Sequence, residues 1–412
     1  MKISIAQIVG GILLTPICLF GQKVVSLDEA IGLARDKNPT VQAGRLGVQQ
    51  QEALRGTIID LPQTEVSLLY GQYNSVHRND NNISVSQTIP FPSVFTSGNQ
   101  LVRSRIAQAE QEAALTNAQL VAKVRRKFNE VLFLKERHKL LLSQDSIFRE
   151  LGRVAKIRYE TGEGTRIELT AAESQFMQVS NSLERNRMDM TMSLRQLAML
   201  CVSDDVTDVS GTLRNLFPTV LPDTNRIENS PQIRVQTQRV SVARNEKQFE
   251  LARALPSFTI GFFSQTLIGT HTVDGVDQYF GEGERFHGIQ LGLTVPLFFN
   301  SANARVRSSR YAAKVEEKRY DELAIVLEQE FLTIKESVRK NLMSVSYFEG
   351  TALEHADLLV LQSRRSFQEG ESDYSSLLIN LRQALSIREE YLNTLYSLND
   401  NLISLLQLTE TK

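Results

Sequence analysis

Residues 87–92 read Gln87-Thr88-Ile89-Pro90-Phe91-Pro92, and the same cadence returns at Leu293-Thr294-Val295-Pro296-Leu297. This echo is one of several. Asn38-Pro39 is matched by Ser230-Pro231, Leu61-Pro62 by Leu255-Pro256, and Val102-Arg103-Ser104 by Val306-Arg307-Ser308. Tyr159-Glu160-Thr161-Gly162-Glu163 is matched by Phe367-Gln368-Glu369-Gly370-Glu371, and Gln175 by Gln383. The offsets drift from about 192 to 208, so the copies differ by short insertions in loops. A period this long is not that of a solenoid; it is two copies of one large unit.

Each copy carries its elements in the same order. In the first, Ser26 and Glu29 form a capping box for a helix that is interrupted at Asn38-Pro39 and resumes to about Gly56. Two strands follow, in which Val66, Leu68 and Tyr70, then Ile83, Val85 and Ile89, alternate with small polar residues. In the second copy Phe258, Ile260 and Phe262, then Ile289, Leu291, Leu293 and Val295, alternate in the same way. Period two with a small polar face suits a barrel wall between lipid and water, and it equally suits the half-buried strands of a soluble sheet.

Proline placement carries the next step. The chain has 10 prolines, with none between Pro92 and Pro218 and none after Pro296, so two stretches of more than a hundred residues lack the strongest helix breaker. Apolar residues recur there every seven positions: Ile106, Ala113 and Leu120; Leu134, Leu141, Phe148 and Ala155; Leu353, Val360 and Phe367. The spacing predicts helices from about Asn99 to Glu160 and from about Ala302 to Gln368, each roughly 90 to 100 Å long at 1.5 Å per residue. Both break at a glycine turn, Thr161-Gly162-Glu163-Gly164 and Glu369-Gly370-Glu371-Ser372. The expected organisation is a secretory signal at 1–21, a first repeat at 22–210 (strand pair about 64–91, helical hairpin about 97–200), a linker at 211–223, and a second repeat at 224–412 (strand pair about 257–297, hairpin about 301–408).

Composition narrows the function classes. A formal net charge of −1 over 412 residues gives no basic excess for nucleic acid. Trp is absent, and 5 His and 2 Cys leave little material for a zinc cluster, a thiol nucleophile or a disulfide framework. His77, His138, His271, His287 and His355 are scattered without ligand or triad spacing, so no catalytic, cofactor-binding or metal-binding residue is assigned and no enzyme is expected. Lys2 followed by the apolar run Ile3 to Phe20 reads as an export signal cleaved near Gly21 and Gln22, and Ile17 before Cys18 argues against lipid attachment there. After it no stretch reaches the ~18 apolar residues a spanning helix needs, so membrane insertion would use strands. Four strands cannot close a barrel, and an open edge is not tolerated in lipid, so such a chain must oligomerise.

Taken together, the helix, strand pair and long hairpin, repeated once, resemble the TolC family of outer-membrane efflux proteins across nearly the whole mature chain. The segments that carry the resemblance are Ser26-Leu27-Asp28-Glu29-Ala30 through Asn38-Pro39, and the two turns, followed by Leu169 and Gln175 or Leu377 and Gln383. The resemblance implies an α+β membrane protein: long coiled-coil hairpins form a periplasmic tunnel, and four strands per chain enter a trimeric outer-membrane barrel of about twelve. It implies a homotrimer in outer-membrane lipid that works with a periplasmic adaptor and an inner-membrane pump, of the RND type, as a passive conduit without cofactors. The turns Thr161, Gly162, Glu163, Gly164 and Glu369, Gly370, Glu371, Ser372 would be the adaptor-docking tips. Glu168, Glu371 and Asp373 are candidate gate acids, since three-fold symmetry would make rings of inward-facing carboxylates; Ser376 and Ile379 stand where some members carry aspartates. Phe91, Phe95, Phe298 and Phe299 are candidates for an interface girdle.

Two readings from other classes compete with this one. A periplasmic adaptor has one hairpin between compact β-domains, whereas this chain has two hairpins, and a structural coiled-coil envelope protein leaves the alternating strands unexplained. For cargo, compact size and the strand end Gln87 to Pro92 are similar to members serving heavy-metal RND pumps, which favours metal cations.

Overall fold

The computed structural model describes residues 23–73, 75–214, 216–217 and 224–409; the signal region with Cys18, and part of the linker, lie outside them. In chain order the elements are β1 (Lys23–Val25), α1 (Leu27–Lys37), α2 (Pro39–Ala53), a 3-10 turn (Leu54–Ile59), β2 (Glu65–Tyr70), β3 (Asn81–Ile89), α3 (Pro92–Glu160), α4 (Arg166–Cys201) and β4 (Val206–Val209). A second 3-10 turn (Thr224–Asn229) leads to α5 (Pro231–Arg253), β5 (Ser257–Gln265), β6 (Gly269–Val273), β7 (Val276–Phe280), β8 (Phe286–Thr294) and α6 (Asn300–Tyr347). A π-helical segment (Phe348–Ala352), α7 (Leu353–Gln368) and α8 (Tyr374–Thr409) complete it. No helix among the described residues is long and apolar enough to cross a membrane.

The prolines act as helix starters. Asn38 caps α2, accepting from the Thr40 N–H at 3.0 Å, and Pro39 stands at the first helical position, where a missing N–H costs nothing. Ser230 and Pro231 repeat this at α5, with the Ile233 N–H donating to Ser230 Oγ at 3.2 Å. The Ser26–Glu29 capping box is formed in both directions, at 2.8 and 3.3 Å. Pro92 likewise opens α3, so that helix starts seven residues before the Asn99 expected from periodicity. The second long helix departs from expectation differently: it is split by the π segment around Gly350, a residue that weakens the helical ladder.

The described chain divides into two compact units. The first takes its described residues from 1–34, 123–216 and 348–396. Its core joins both hairpins: Ile147, Phe148, Leu151 and Ala155 of α3 pack with Ala172 and Val179 of α4 and with Tyr374, Leu377, Leu381 and Leu385 of α8. Buried amides bind the helices across the packing, Asn186 Nδ2 donating to the Leu134 carbonyl at 3.0 Å and Asn129 Nδ2 to the Tyr396 carbonyl at 3.1 Å. β1 and β4 form a small parallel pair, and Lys135 Nζ reaches both Asp208 oxygens at 2.8 Å. In the π segment Glu349 accepts from Arg214 Nη2 at 3.1 Å and from the Tyr391 hydroxyl at 2.8 Å.

The second unit takes its described residues from 35–122, 217–347 and 397–412. Here β2, β3, β5 and β8 form an antiparallel sheet in that order, so the two strand pairs of the two repeats join through β3 and β5. In the same unit Ile233, Leu327, Phe331, Leu405 and Leu408 make a helical core. The expected second strand pair contains an additional hairpin, β6 and β7, turning at Asp274 and Gly275 with φ of 53° and 81°. Asp-Gly between valines is a strong two-residue turn signal, because both central positions need positive φ.

Candidate functional site

The two tip turns lie in the first unit and are built alike. In the first, Gly162 N–H donates to the Tyr159 carbonyl, and Glu163 and Gly164 both donate to the Arg158 carbonyl, at 2.8 and 2.9 Å. In the second, Gly370 donates to Phe367, and Glu371 and Ser372 both donate to Ser366, at 2.8 and 3.3 Å. Gly162 and Gly370 have φ of 79° and 77°, the left-handed conformation that lets a helix end and its carbonyls be satisfied. Thr165 then caps α4 and Asp373 caps α8.

Every candidate gate acid has a partner inside the chain. Glu168 closes the capping box with Thr165, its carboxylate accepting from the Thr165 N–H at 3.4 Å. Asp373 Oδ1 accepts from the Ser376 N–H at 2.7 Å, and hydrogen bonds from the Ser376 hydroxyl and backbone hold its carboxyl below the usual range. Glu371 accepts from the Ser366 hydroxyl at 3.2 Å, and Glu369 pairs with Arg365 at 2.8 Å.

The sequence gives Phe367 as a heptad and repeat position but not the contacts by which side chains join the two turns. Arg158 lies over the Phe367 ring at 5.4 Å, and Phe367 meets Tyr374 edge-on at 5.9 Å. Tyr374 is 2% exposed, and burial, with the nearby charge of Glu168, pushes its hydroxyl up to about 12. Phe367 occupies the repeat position of Tyr159, which was the available signal, but nothing local says that it faces Arg158.

The sheet of the second unit is two-faced. Val66, Val85, Phe262 and Ile289 form one cross-strand row and Ile89, Phe258 and Leu293 another, and all seven are exposed. The opposite face carries Ser67, Ser84, Phe263 and Gly288 in one row and Thr88, Thr259 and Gly292 in another, with Ser67 and Ser84 hydroxyls 2.7 Å apart. Phe263 covers Gly288 so closely that a Cβ there would sit 2.4 Å from its ring. An apolar exposed face backed by a small polar one is the pattern of a barrel wall.

The four aromatics divide into two pairs. Phe91 stacks on Phe258 with centroids 6.1 Å apart, and Phe91 and Phe95 line a cavity of about 550 Å³ with Val94, Leu101 and Phe249. Phe298 and Phe299 are 89% and 51% exposed.

Residues 30–201, from within α1 to the end of α4, match the model of the outer membrane efflux protein family. The fold is shared with solved outer-membrane channels over nearly the whole chain. CusC, solved in crystals that follow its folding and transmembrane channel formation, is 14% identical with a TM-score of 0.77, over 93% of this chain and 91% of that one. The outer membrane protein VceC of Vibrio cholerae is 15% identical with a TM-score of 0.76, over 92% and 96%. The CmeC outer membrane channel of Campylobacter jejuni is 12% identical with a TM-score of 0.76, over 100% and 94%. No curated protein sequence matches the chain.

Proposed function

We propose that the protein is an outer-membrane channel subunit of a tripartite efflux system, passively conducting solutes delivered by an inner-membrane pump and a periplasmic adaptor. The observation that carries this reading is the two-faced sheet, whose outer strands β2 and β8 each pair on one side only among the described residues. Its apolar face needs lipid and its edges need strands from other copies. Three copies would supply about twelve strands, within the range of closed outer-membrane barrels. The efflux-family match and the fold shared with named outer-membrane channels support the same assignment. They support a conduit, with no chemical step asked of the chain.

The glycine turns at Gly162 and Gly370 are the surfaces we assign to adaptor docking, with Glu168, Glu371 and Asp373 as the acids nearest a closed end. Phe298 and Phe299 are our choice for the membrane interface, being exposed beside the end of β8. Cargo is a finer matter. The metal-cation preference rests on chain size and the Gln87–Pro92 strand end, and VceC and CmeC are as similar in fold as CusC, so structural likeness does not select a branch.

Deleting the gene and measuring sensitivity to a panel of metals, dyes and detergents tests the role. Raised sensitivity to at least one class is expected, and unchanged sensitivity to all of them would refute efflux. For the assembly, detergent-extracted protein is expected to run as a trimer; a soluble monomer would sink the barrel.

A further inference from the structure

Where β3 turns into α3 and α5 runs out into β5, the second unit holds a cavity of about 550 Å³. Phe91, Val94, Phe95 and Leu101, around the start of α3, and Phe249, near the end of α5, give it an apolar lining. Gly98 opens its wall, since a Cβ there would lie 3.3 Å from the Phe249 ring. Ligand pockets commonly run from about 300 to 1,000 Å³, and a lining of this kind favours a hydrocarbon surface over a polar one.

The cavity continues the apolar face of the sheet. Phe258 stands on that face in the row of Ile89 and Leu293, is exposed, and stacks on Phe91 with centroids 6.1 Å apart. A hydrocarbon chain lying along the face therefore meets Phe258 and then Phe91. Charge is confined to the rim, where Arg105 and Arg253 have side chains 44% and 52% exposed. Each is paired with a carboxylate, Arg105 with Glu246 at 2.7 Å and Arg253 with Glu250 at 3.2 Å, and Asp60 adds an exposed carboxylate to the lining. Guanidinium groups suit a phosphate, and carboxylates beside them suit an ammonium. A head group of both signs fits such a rim, whereas a purely anionic one meets uncompensated carboxylates.

We propose that this cavity binds one acyl chain of a zwitterionic phospholipid, with the phosphate held by Arg105 and Arg253 and the ammonium beside Asp60. The site rests on the outer-membrane reading, because lipid reaches it along the apolar face of the sheet. It fixes a lipid at the junction of strands and helices and takes no part in passing solute.

The test uses the full chain in an alkyl maltoside, washed free of lipid and then incubated with phosphatidylethanolamine, with phosphatidylglycerol, or with phosphoethanolamine alone. Native mass spectrometry counts the molecules retained. One phosphatidylethanolamine per chain is expected, with at least tenfold preference over phosphatidylglycerol and no retention of phosphoethanolamine. Val94→Phe, which fills the cavity, should abolish retention, and Arg253→Gln on the rim should weaken it at least tenfold with unchanged circular dichroism. A folded trimer that retains no phospholipid, retains both lipids equally, retains phosphoethanolamine alone, or behaves alike in wild type and both variants would overturn the lipid site and leave the channel reading standing. Dissociation of the trimer by Val94→Phe with lipid retention unchanged would place a second copy in the cavity and overturn it too. A soluble monomer would overturn both readings.

Discussion

The Arg158 guanidinium lies over the Phe367 ring, 5.4 Å from its centroid, joining the tip turn of one repeat to that of the other. A cation over an aromatic face at a partly exposed site contributes about 0.5–1 kcal/mol. Arg158→Gln and Phe367→Leu are therefore expected to be non-additive by that amount. A double-mutant cycle on urea denaturation measures it, and additive effects would show that the two side chains do not couple.

Glu349 predicts a pH dependence. Hydrogen bonds from Arg214, then from Tyr391, hold its carboxyl below the ordinary glutamate value of 4.5. Since its folded pKa lies below the unfolded one, the stability it contributes is present above about pH 4.5 and is lost as pH falls through the folded value. Glu349→Gln should lower Tm at pH 7 and make the fall in Tm between neutral and acid pH shallower than in wild type. Tyr391 acts at the other limb. Burial, then Glu349, pushes its hydroxyl up to about 12, so its contribution is full below pH 10 and disappears as pH rises through 12. Tyr391→Phe should flatten that alkaline limb.

Cys201 is fully buried at the end of α4, its thiol 3.5 Å from the Ala30 carbonyl, and burial pushes its pKa up to about 11. A thiol in this state supplies almost no thiolate at neutral pH. Ellman's reagent is expected to leave Cys201 unmodified in the native protein and to label it in guanidinium; mapping the labelled peptide by mass spectrometry reads the site. Rapid native labelling would show that the α4 end opens.

The two faces of the sheet make opposite predictions for one substitution. Leu291 is 78% exposed on the apolar face, and Leu291→Lys should cost about 2–4 kcal/mol of insertion near the bilayer midplane. Thr259→Lys, on the opposite face, should insert almost as wild type does. Folding into lipid vesicles under urea titration compares them. Equal losses for both would argue against a lipid-facing surface at Leu291.

Several features could be read directly because they depend on neighbours in the chain. Ser26 and Glu29 lie three residues apart, as a capping box requires, and Gly162 and Gly370 stand where only a left-handed residue ends the helix cleanly. The alternation of Ile83, Val85 and Ile89 announced a strand. Asp274-Gly275 is an equally local turn signal, but the duplicated order of two strands per copy has no place for a β6–β7 hairpin. The π segment had only Gly350 as a sign, and an isolated glycine in a helix is usually silent.

The sequence by itself determined the duplicated order of elements, the proline-started helices and the glycine turns, because caps, propensities and periodicity act over a few residues. Tertiary structure alone decided that β3 pairs with β5, that Arg158 meets Phe367, and that Asp80 is enclosed by hydrogen bonds from Thr266 and Ile268. Those relations join residues about two hundred positions apart, and the free energy that selects them comes from packing and burial across the fold, which no local pattern encodes.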